Sequence, residues 1–168
     1  WDAVAGLAAS GLQVAACELE GPEPRLHILL EGRSAVVREA QSALEAALRD
    51  FSIKKLDEGD GNREGNRLTD LASVHGALVH FRGAVRSGRL RRILESLAPP
   101  GERGSWRFRG HALSGVFDLF MDEANLEFTR ILHGLCAERT AGGYADGSLK
   151  VYQAPDWLRE GLAEDGDD

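Results

Sequence analysis

The sequence is poor in the residues that most often build redox-active disulfides and structural metal sites. It contains only two cysteines, Cys17 and Cys136, which lie far apart and form no Cys-x-x-Cys pair. We therefore expect two buried thiols in a reducing cytoplasm rather than a disulfide or a metal-thiolate centre. No apolar run approaches the ~20 residues that a membrane-spanning helix requires, so no membrane span is expected.

Several signature motifs of nucleotide and hydrolase chemistry are missing as well. The chain has no Gly-x-Gly-x-x-Gly, no Walker loop and no Gly-x-Ser-x-Gly elbow, so it offers no recognisable phosphate cradle or activated serine. Its five histidines do not have the spacing of metal ligands, and no metal is expected. The net charge of -7 argues against a general affinity for nucleic acid.

The overall composition of the chain is typical of one globular domain. The chain has 168 residues, of which 43% are hydrophobic and 28% are charged, enough to bury a single core. It begins at Trp1 without an initiator methionine or a signal segment, and it ends in an acidic tail at 163–168. We expect a fragment of a longer chain, with a lobe over 1–56, a flexible acidic and glycine-rich connector over 57–76, and a second lobe over 77–162.

Hydrophobic periodicity predicts a β-β-α-β order in the first lobe. The predicted elements, after an initial helix over 1–10, are strands over 13–20 and 25–31, a helix over 34–50 capped by Ser34, and a strand over 51–56. Residues 57–66 contain four acidic residues, three glycines and no hydrophobe, which predicts a mobile loop.

The second lobe is more regular and predicts a β-α-β-β-α-β order, the ferredoxin-like arrangement. Its predicted strands cover 77–85, 105–110, 115–121 and 148–153. Its predicted helices begin at Ser87, at a cap on Asp122 and at Pro155, and the second of them closes at Gly142-Gly143. Together the two half-repeats predict an α+β fold, an antiparallel sheet of about seven strands with helices on one face.

Strand alternation divides the predicted sheet into two faces. The side chains expected under the helices are Val79, Phe81, Trp106, Phe108, Phe117, Leu119, Met121, Leu149 and Val151. The side chains expected on the other face are His80, Arg82, Arg107, Arg109, Asp118, Lys150 and Tyr152, joined by Glu18, His27 and Glu31 from the first lobe. Because such a sheet leaves its second face in water, a merely solvated polar surface is one explanation of this pattern.

Arginine and histidine on this face favour a binding role. The Arg82 guanidinium can form two parallel hydrogen bonds with a carboxylate, and the His80 imidazole, two residues away, can accept or donate a proton. Both properties suit a small anionic substrate. A separate cluster resembles a phosphate-binding patch, although an exposed helix face explains it equally well: Arg86, Arg89, Arg91 and Arg92.

The order of strands and glycines also carries a family resemblance. Its main segments are Ser10-Gly11-Leu12, Glu31-Gly32, Gly115-Val116 and the stretch from Ala141-Gly142-Gly143 to Ala154-Pro155. With RLHILLEG, GALVHFRGAV and GHALSGVFDLFMD around them, the chain resembles the C-terminal cap region of FAD-linked oxidases of the vanillyl-alcohol-oxidase superfamily. Within that superfamily it resembles the glycolate oxidase FAD-binding subunit group.

The resemblance implies a cap or substrate-binding domain of an FAD-dependent oxidoreductase acting on a 2-hydroxy acid such as glycolate. The polar face would look toward flavin and substrate, so the substrate-binding candidates are His80, Arg82, Arg107, Arg109, Asp118, Lys150 and Tyr152. FAD would be bound mainly by an N-terminal domain of the parent chain that is absent here, and the isolated chain is expected to be inactive and to bind none. The histidine-rich HGHxGDGNxH motif of related enzymes is missing, so no catalytic residue and no metal-assisted step is assigned.

The resemblance also implies partners and a location. These are the FAD-binding domain, other oxidase subunits including an iron-sulfur subunit, and a cytoplasmic position, either free or peripheral to a membrane through a complex. Two rival functions stay open. A stand-alone ferredoxin-like module could bind or sense a small ligand with the same face, and a nucleic-acid-binding module could use the basic residues from Arg82 to Arg109.

Overall fold

The computed structural model describes residues 2–23, 25–70, 77–97, 105–137 and 147–163. Its helices are α1 (Asp2–Ser10), α2 (Ser34–Ala47), α3 (Glu58–Asp70), α4 (Ser87–Ser96), α5 (Leu126–Ala137) and α6 (Asp156–Ala163). Its strands are β1 (Ala16–Gly21), β2 (Arg25–Leu29), β3 (Val79–Val85), β4 (Trp106–His111), β5 (Val116–Met121) and β6 (Gly147–Gln153). None of the helices within these ranges has the length and apolar character needed to cross a bilayer.

The six strands form one open antiparallel sheet in the order β2-β1-β4-β5-β3-β6. The four strands of the second lobe are contiguous in it, and the β1–β2 hairpin extends them through the pairing of Leu19 with Gly110. The predicted α+β class and the single sheet shared by both halves are therefore confirmed. The arrangement is compatible with a ferredoxin-like class.

The predicted strand over 51–56 is wrong, so the described sheet has six strands and not about seven. Residues 52–57 are extended without ladder pairing. Phe51, Ile53 and Leu56 each expose more than two-fifths of their surface. The apolar residues of this segment have no sheet face against which to pack, and alternation alone does not make a strand.

The predicted irregular loop over 57–66 is also wrong, because most of this stretch belongs to α3. The Asp57 carboxylate accepts a hydrogen bond from the Asp60 backbone N–H at 2.8 Å, which is the contact of a helix N-cap. Asp60 pairs with Arg63 one turn later, and the next residue, Glu64, contacts His27 of β2. Local capping and a tertiary contact outweigh the unfavourable glycines. Residues 71–76, the rest of the predicted connector, lie outside the described part of the chain.

Two helix starts differ from their predicted caps. Helix α5 begins three residues after the predicted position, because Asn125 and not Asp122 caps it: the Phe128 N–H donates to Asn125 Oδ1 at 2.9 Å. In α2, Ser34 is the first helical residue and Arg33 holds the N-cap position without a side-chain cap bond. The predicted end of the α5 helix at Gly142-Gly143 and the 164–168 part of the acidic tail fall outside the described residues.

One hydrophobic core lies between the sheet and five of the helices. All nine side chains predicted for the covered face are buried or packed against this core. The helices contribute Val4, Leu7, Leu44, Leu90, Ile93, Phe128, Leu132 and Leu158. Helix α3 is the exception to the expectation of helices on one face, since its Glu64 reaches His27 on the opposite, open face of the sheet.

Candidate functional site on the open sheet face

A row of charged side chains crosses the open face from one edge strand to the other. Strand register places its members directly opposite one another in neighbouring strands. From β2 to β6 the row is Arg25, Glu20, Arg109, Asp118, Arg82 and Lys150. The charges alternate in sign until the last two, which are both positive. Cross-strand neighbours of opposite charge stabilise a sheet, and the row leaves a cationic end over β3 and β6.

Asp118 lies at the centre of the site. Its side chain is only 7% exposed, and its two carboxylate oxygens have different partners. Oδ1 lies 2.9 Å from His80 Nε2, and Oδ2 accepts a hydrogen bond from the Arg82 guanidinium at 3.2 Å. A buried carboxylate with two such donors is desolvated but satisfied. Asp118 therefore positions both neighbours.

The His80 ring is held in one orientation. It stacks on Phe120 at 4.4 Å and on Tyr152 at 5.3 Å between ring centroids. Since a carboxylate only accepts hydrogen bonds, a neutral imidazole in this position donates from Nε2 to Asp118 and has its lone pair on Nδ1. Among the described residues Nδ1 has no hydrogen-bond partner. The imidazole is thus oriented as a proton acceptor.

Arg82 and Lys150 present their charges around the Tyr152 ring. The Lys150 ammonium lies 5.3 Å and the Arg82 guanidinium carbon 6.0 Å from the ring centroid, both within reach of a cation–π attraction. Half of the Arg82 side chain is exposed, and only one of its nitrogens bonds Asp118. Within the described ranges Lys150 has no carboxylate partner. These two side chains can accept an anion from solution.

A pocket of about 260 Å³ opens beside Arg82. Its polar lining consists of Glu18, Arg82, Arg109, His111, Ser114 and Asp118. Arg109 is held across it by Glu18, with Nε 3.4 Å from the carboxylate oxygen. His111 accepts a hydrogen bond at Nδ1 from the Ser114 backbone N–H. The pocket is small, polar and adjacent to the cationic end of the row.

The predicted candidates do not all lie in one cluster. The structure brings together His80, Arg82, Asp118, Lys150 and Tyr152, with Arg109 on the far wall of the pocket. Arg107 instead pairs with Asp122 at the end of β5. Glu31, predicted to join the open face, follows the end of β2 and is exposed.

Sequence reasoning missed several residues of this face. Phe120 is apolar but lies on the open side of the sheet. Its ring stacks on the His80 ring and is almost fully buried there. Ser114 reaches the pocket from the β4–β5 turn, where a polar residue is expected in any case. Glu64 comes from a helix that was predicted to be a loop. Glu20 could have been assigned to the open face from the sequence, since it alternates with the core residue Leu19 on β1.

The two thiols take no part in the site. Cys17 and Cys136 are buried on the core side. Burial raises the pKa of Cys17 to about 11 and the pKa of Cys136 to about 12. Both remain protonated at neutral pH and are poor nucleophiles.

Comparison with family models, with curated proteins and with solved structures found no match to this chain. Two exposed cations can hold a carboxylate, and an imidazole oriented by a buried aspartate can take a proton from a neighbouring group. The site thus places two exposed cations, Arg82 and Lys150, on the same face as an imidazole that Asp118 orients.

Proposed function

We propose that this chain is the cap, or substrate-binding domain, of an FAD-dependent oxidoreductase that oxidises a 2-hydroxy acid such as glycolate. The observation that carries the proposal is the position of the exposed Arg82 and Lys150 around Tyr152, next to an imidazole that Asp118 orients. The resemblance of the sequence to the cap region of FAD-linked oxidases supports the same function. The ferredoxin-like lobe over 77–162 would then be the part of the cap that faces the substrate.

The substrate carboxylate would bind at the cationic end of the charged row. Arg82 keeps most of its guanidinium donors clear of Asp118, so its planar fork can form two parallel hydrogen bonds with a carboxylate. Lys150, its register partner on β6, would add a second positive charge. The carboxylates of Asp118 and Glu18 border the pocket beside Arg82, which favours a small carboxylate over a polyanion such as nucleic acid.

His80 would serve as the proton acceptor for the substrate hydroxyl. Asp118 holds the proton on Nε2, so the lone pair of Nδ1 is the basic site. As Nδ1 takes the hydroxyl proton, the Asp118 carboxylate stabilises the imidazolium that forms. When bound, FAD supplies the acceptor for the hydride that leaves the substrate carbon.

The described residues fit the ring end of a flavin better than its pyrophosphate. The Tyr152 ring is about half exposed and has two cations beside it, a surface that suits an aromatic system gaining negative charge. A glycine-rich loop at a helix N-terminus would be needed to cradle the pyrophosphate, and no such motif occurs in the sequence. The FAD-binding domain is therefore proposed as the partner that supplies the rest of the cofactor site, and association with other oxidase subunits stays a prediction.

The experiment that tests this function is anaerobic reduction of the flavin in the full-length protein. Glycolate and other 2-hydroxy acids should bleach the flavin absorbance of the wild type. His80→Gln should slow the bleaching by about 100-fold or more, the usual size of a general-base contribution. His133→Gln is the matched control, because His133 is an exposed histidine of α5. Absence of bleaching by every 2-hydroxy acid, or equal rates in His80→Gln and the wild type, would contradict the proposal.

A stand-alone small-ligand module is the second candidate, favoured by the pocket beside Arg82, where Arg82, Arg109 and His111 line one opening. It would bind a carboxylate metabolite stoichiometrically without flavin. Calorimetric titration of the isolated chain with glycolate separates the two functions. Tight one-to-one binding without the flavin domain favours the stand-alone module.

A further inference from the structure

A second group of ionisable side chains lies toward the β2 edge of the sheet, apart from His80 and Asp118. It consists of Glu20 on β1, His27 on β2 and Glu64 on α3. One potential ligand atom from each residue lies within 4.8 Å of the others. All three side chains are largely buried, with exposures of 15%, 21% and 29% respectively. Three elements thus bring one imidazole and two carboxylates to one place.

We propose that Glu20, His27 and Glu64 bind a divalent transition-metal ion, with Zn²⁺ as the best fit. One imidazole nitrogen and two carboxylate oxygens are ligands that Zn²⁺ accepts, and three protein ligands leave a fourth position for water. This site is separate from the proposed substrate site and does not depend on the oxidase function. Linear spacing could not reveal it, because the three ligands come from different elements.

The contacts of the His27 ring favour a cation at this position. Nε2 lies 3.1 Å from a Glu20 oxygen, and Nδ1 lies 3.7 Å from a Glu64 oxygen. A neutral imidazole has only one N–H, so it can donate to only one of these carboxylates. The other nitrogen turns a lone pair toward a negative oxygen. For this neutral imidazole, a metal ion bound to that nitrogen and to the carboxylates would replace the unfavourable contact with coordination.

One of the three ligand separations is close to that of a formed site, and the three ligand atoms all lie within 4.8 Å of one another. Two ligands at 2.0–2.1 Å from a tetrahedral Zn²⁺ are about 3.4 Å apart. The contact of 3.7 Å between His27 and Glu64 is longer than a hydrogen bond but near this ligand separation. Because Glu20 and Glu64 face different nitrogens of the His27 ring, one of the two carboxylates rotates toward the other nitrogen when all three donors bind one metal.

A metal at this position would also account for a helix with an unfavourable sequence. Gly59, Gly61 and Gly65 lie within α3, and glycine is a much poorer helix former than alanine. Glu64, through His27, links this helix to the sheet. Coordination by one ligand from α3 and two from the hairpin would transfer metal-binding free energy to the helix. Binding should therefore order α3.

Titration of the chain with Zn²⁺ by calorimetry tests the site. We expect one equivalent to bind, and His27→Ala and Glu64→Gln each to weaken binding by about 10- to 100-fold or more. The controls are His133→Ala and Glu23→Gln, an exposed histidine and an exposed glutamate outside the cluster. Both controls should bind Zn²⁺ like the wild type.

A second readout separates metal coordination from a general loss of structure. Addition of Zn²⁺ to the wild type should slow hydrogen exchange of the backbone amides in residues 58–66, and it should not do so in Glu64→Gln. Circular dichroism without metal should be the same for wild type and variants. Failure of the wild type to bind Zn²⁺, or equal binding by His27→Ala, would overturn the proposal.

Discussion

Asp118 and His80 are joined across neighbouring strands, with the carboxylate Oδ1 2.9 Å from the imidazole Nε2. They are 38 positions apart in the sequence. Strand β3 pairs with β5 so that His80 lies opposite Phe120 and Arg82 lies opposite Asp118. Asp118 is thus the diagonal neighbour of His80 on the same face. This contact fixes the orientation of the His80 imidazole relative to the Asp118 carboxylate, so the two side chains form an oriented acid–base pair.

Asp118→Asn should weaken both the fold and the orientation of His80. The substitution removes the charge that both neighbouring donors bond, and we expect the free energy of unfolding to fall by about 1–3 kcal/mol. Nitrogen NMR of the imidazole should show Nε2–H alone in the wild type and a mixture of tautomers in the variant. Asp122→Asn is the control, since this exposed aspartate pairs with Arg107 at the edge of the site. A single unchanged tautomer in Asp118→Asn would show that the carboxylate does not orient the ring.

Gly83→Ala should disrupt the core under the site. A Cβ atom at position 83 would lie 2.2 Å from the Phe117 ring, which itself stacks on Phe108. We expect the free energy of unfolding to fall by about 1–3 kcal/mol from overpacking. Phe117→Ala alone should cost about 3–5 kcal/mol, and in that background the added cost of Gly83→Ala should shrink. Denaturant melts measure all three.

Gly88→Ala is the control for this substitution. Gly88 lies in α4, and a Cβ atom added there would have no described neighbour within 4 Å. Because alanine is the better helix former, the denaturation midpoint of this variant should be unchanged or higher. A loss as large as that of Gly83→Ala would show that the core is not packed as described.

The buried thiols predict an alkaline weakening of the fold. Burial raises the pKa of Cys17 from 9.0 to about 11, so the folded state keeps a proton that the unfolded state loses. The contribution is constant below about pH 9 and decreases as the pH rises toward about 11. Urea melts across this range should show the free energy of unfolding falling, with a smaller slope in Cys17→Ala. Rapid reaction of both thiols with a disulfide reagent in the folded state at about pH 8 would contradict their burial.

Residues with clear local periodicity were predictable, and those that depend on distant partners were not. Strands β3 and β4 alternate clearly, and β5 does so apart from Val116 and Phe120, so Phe81, Phe117 and Arg82 could be assigned to their faces from the sequence. Helix α3 could not be predicted from local periodicity, since its formation depends on the Asp57 cap and on the contact of Glu64 with a strand elsewhere in the chain.

The strand predicted over 51–56 failed for the opposite reason: the local pattern was present, but the partners that a strand needs were not. Its alternation was correct in form, but Phe51 and Ile53 have no covered face to pack against. From the sequence, the residues of the candidate site could be assigned to one face of the sheet, but the contacts between them could not be predicted. Alternation indicated that His80 and Asp118 share a side, whereas their contact follows from the β3–β5 register.

The most direct test of the central claim is the affinity of the full-length, flavin-loaded protein for oxalate, a carboxylate mimic of a 2-hydroxy acid. Calorimetry would compare the wild type with Arg82→Ala and with Arg91→Ala, whose arginine pairs with Glu95 on the surface of α4. If Arg82 binds the substrate carboxylate, its loss should weaken oxalate binding by about 10- to 100-fold, the value of a charge-assisted hydrogen bond, and Arg91→Ala should bind like the wild type. Equal oxalate affinity in all three proteins would contradict the claim that the open face binds the substrate.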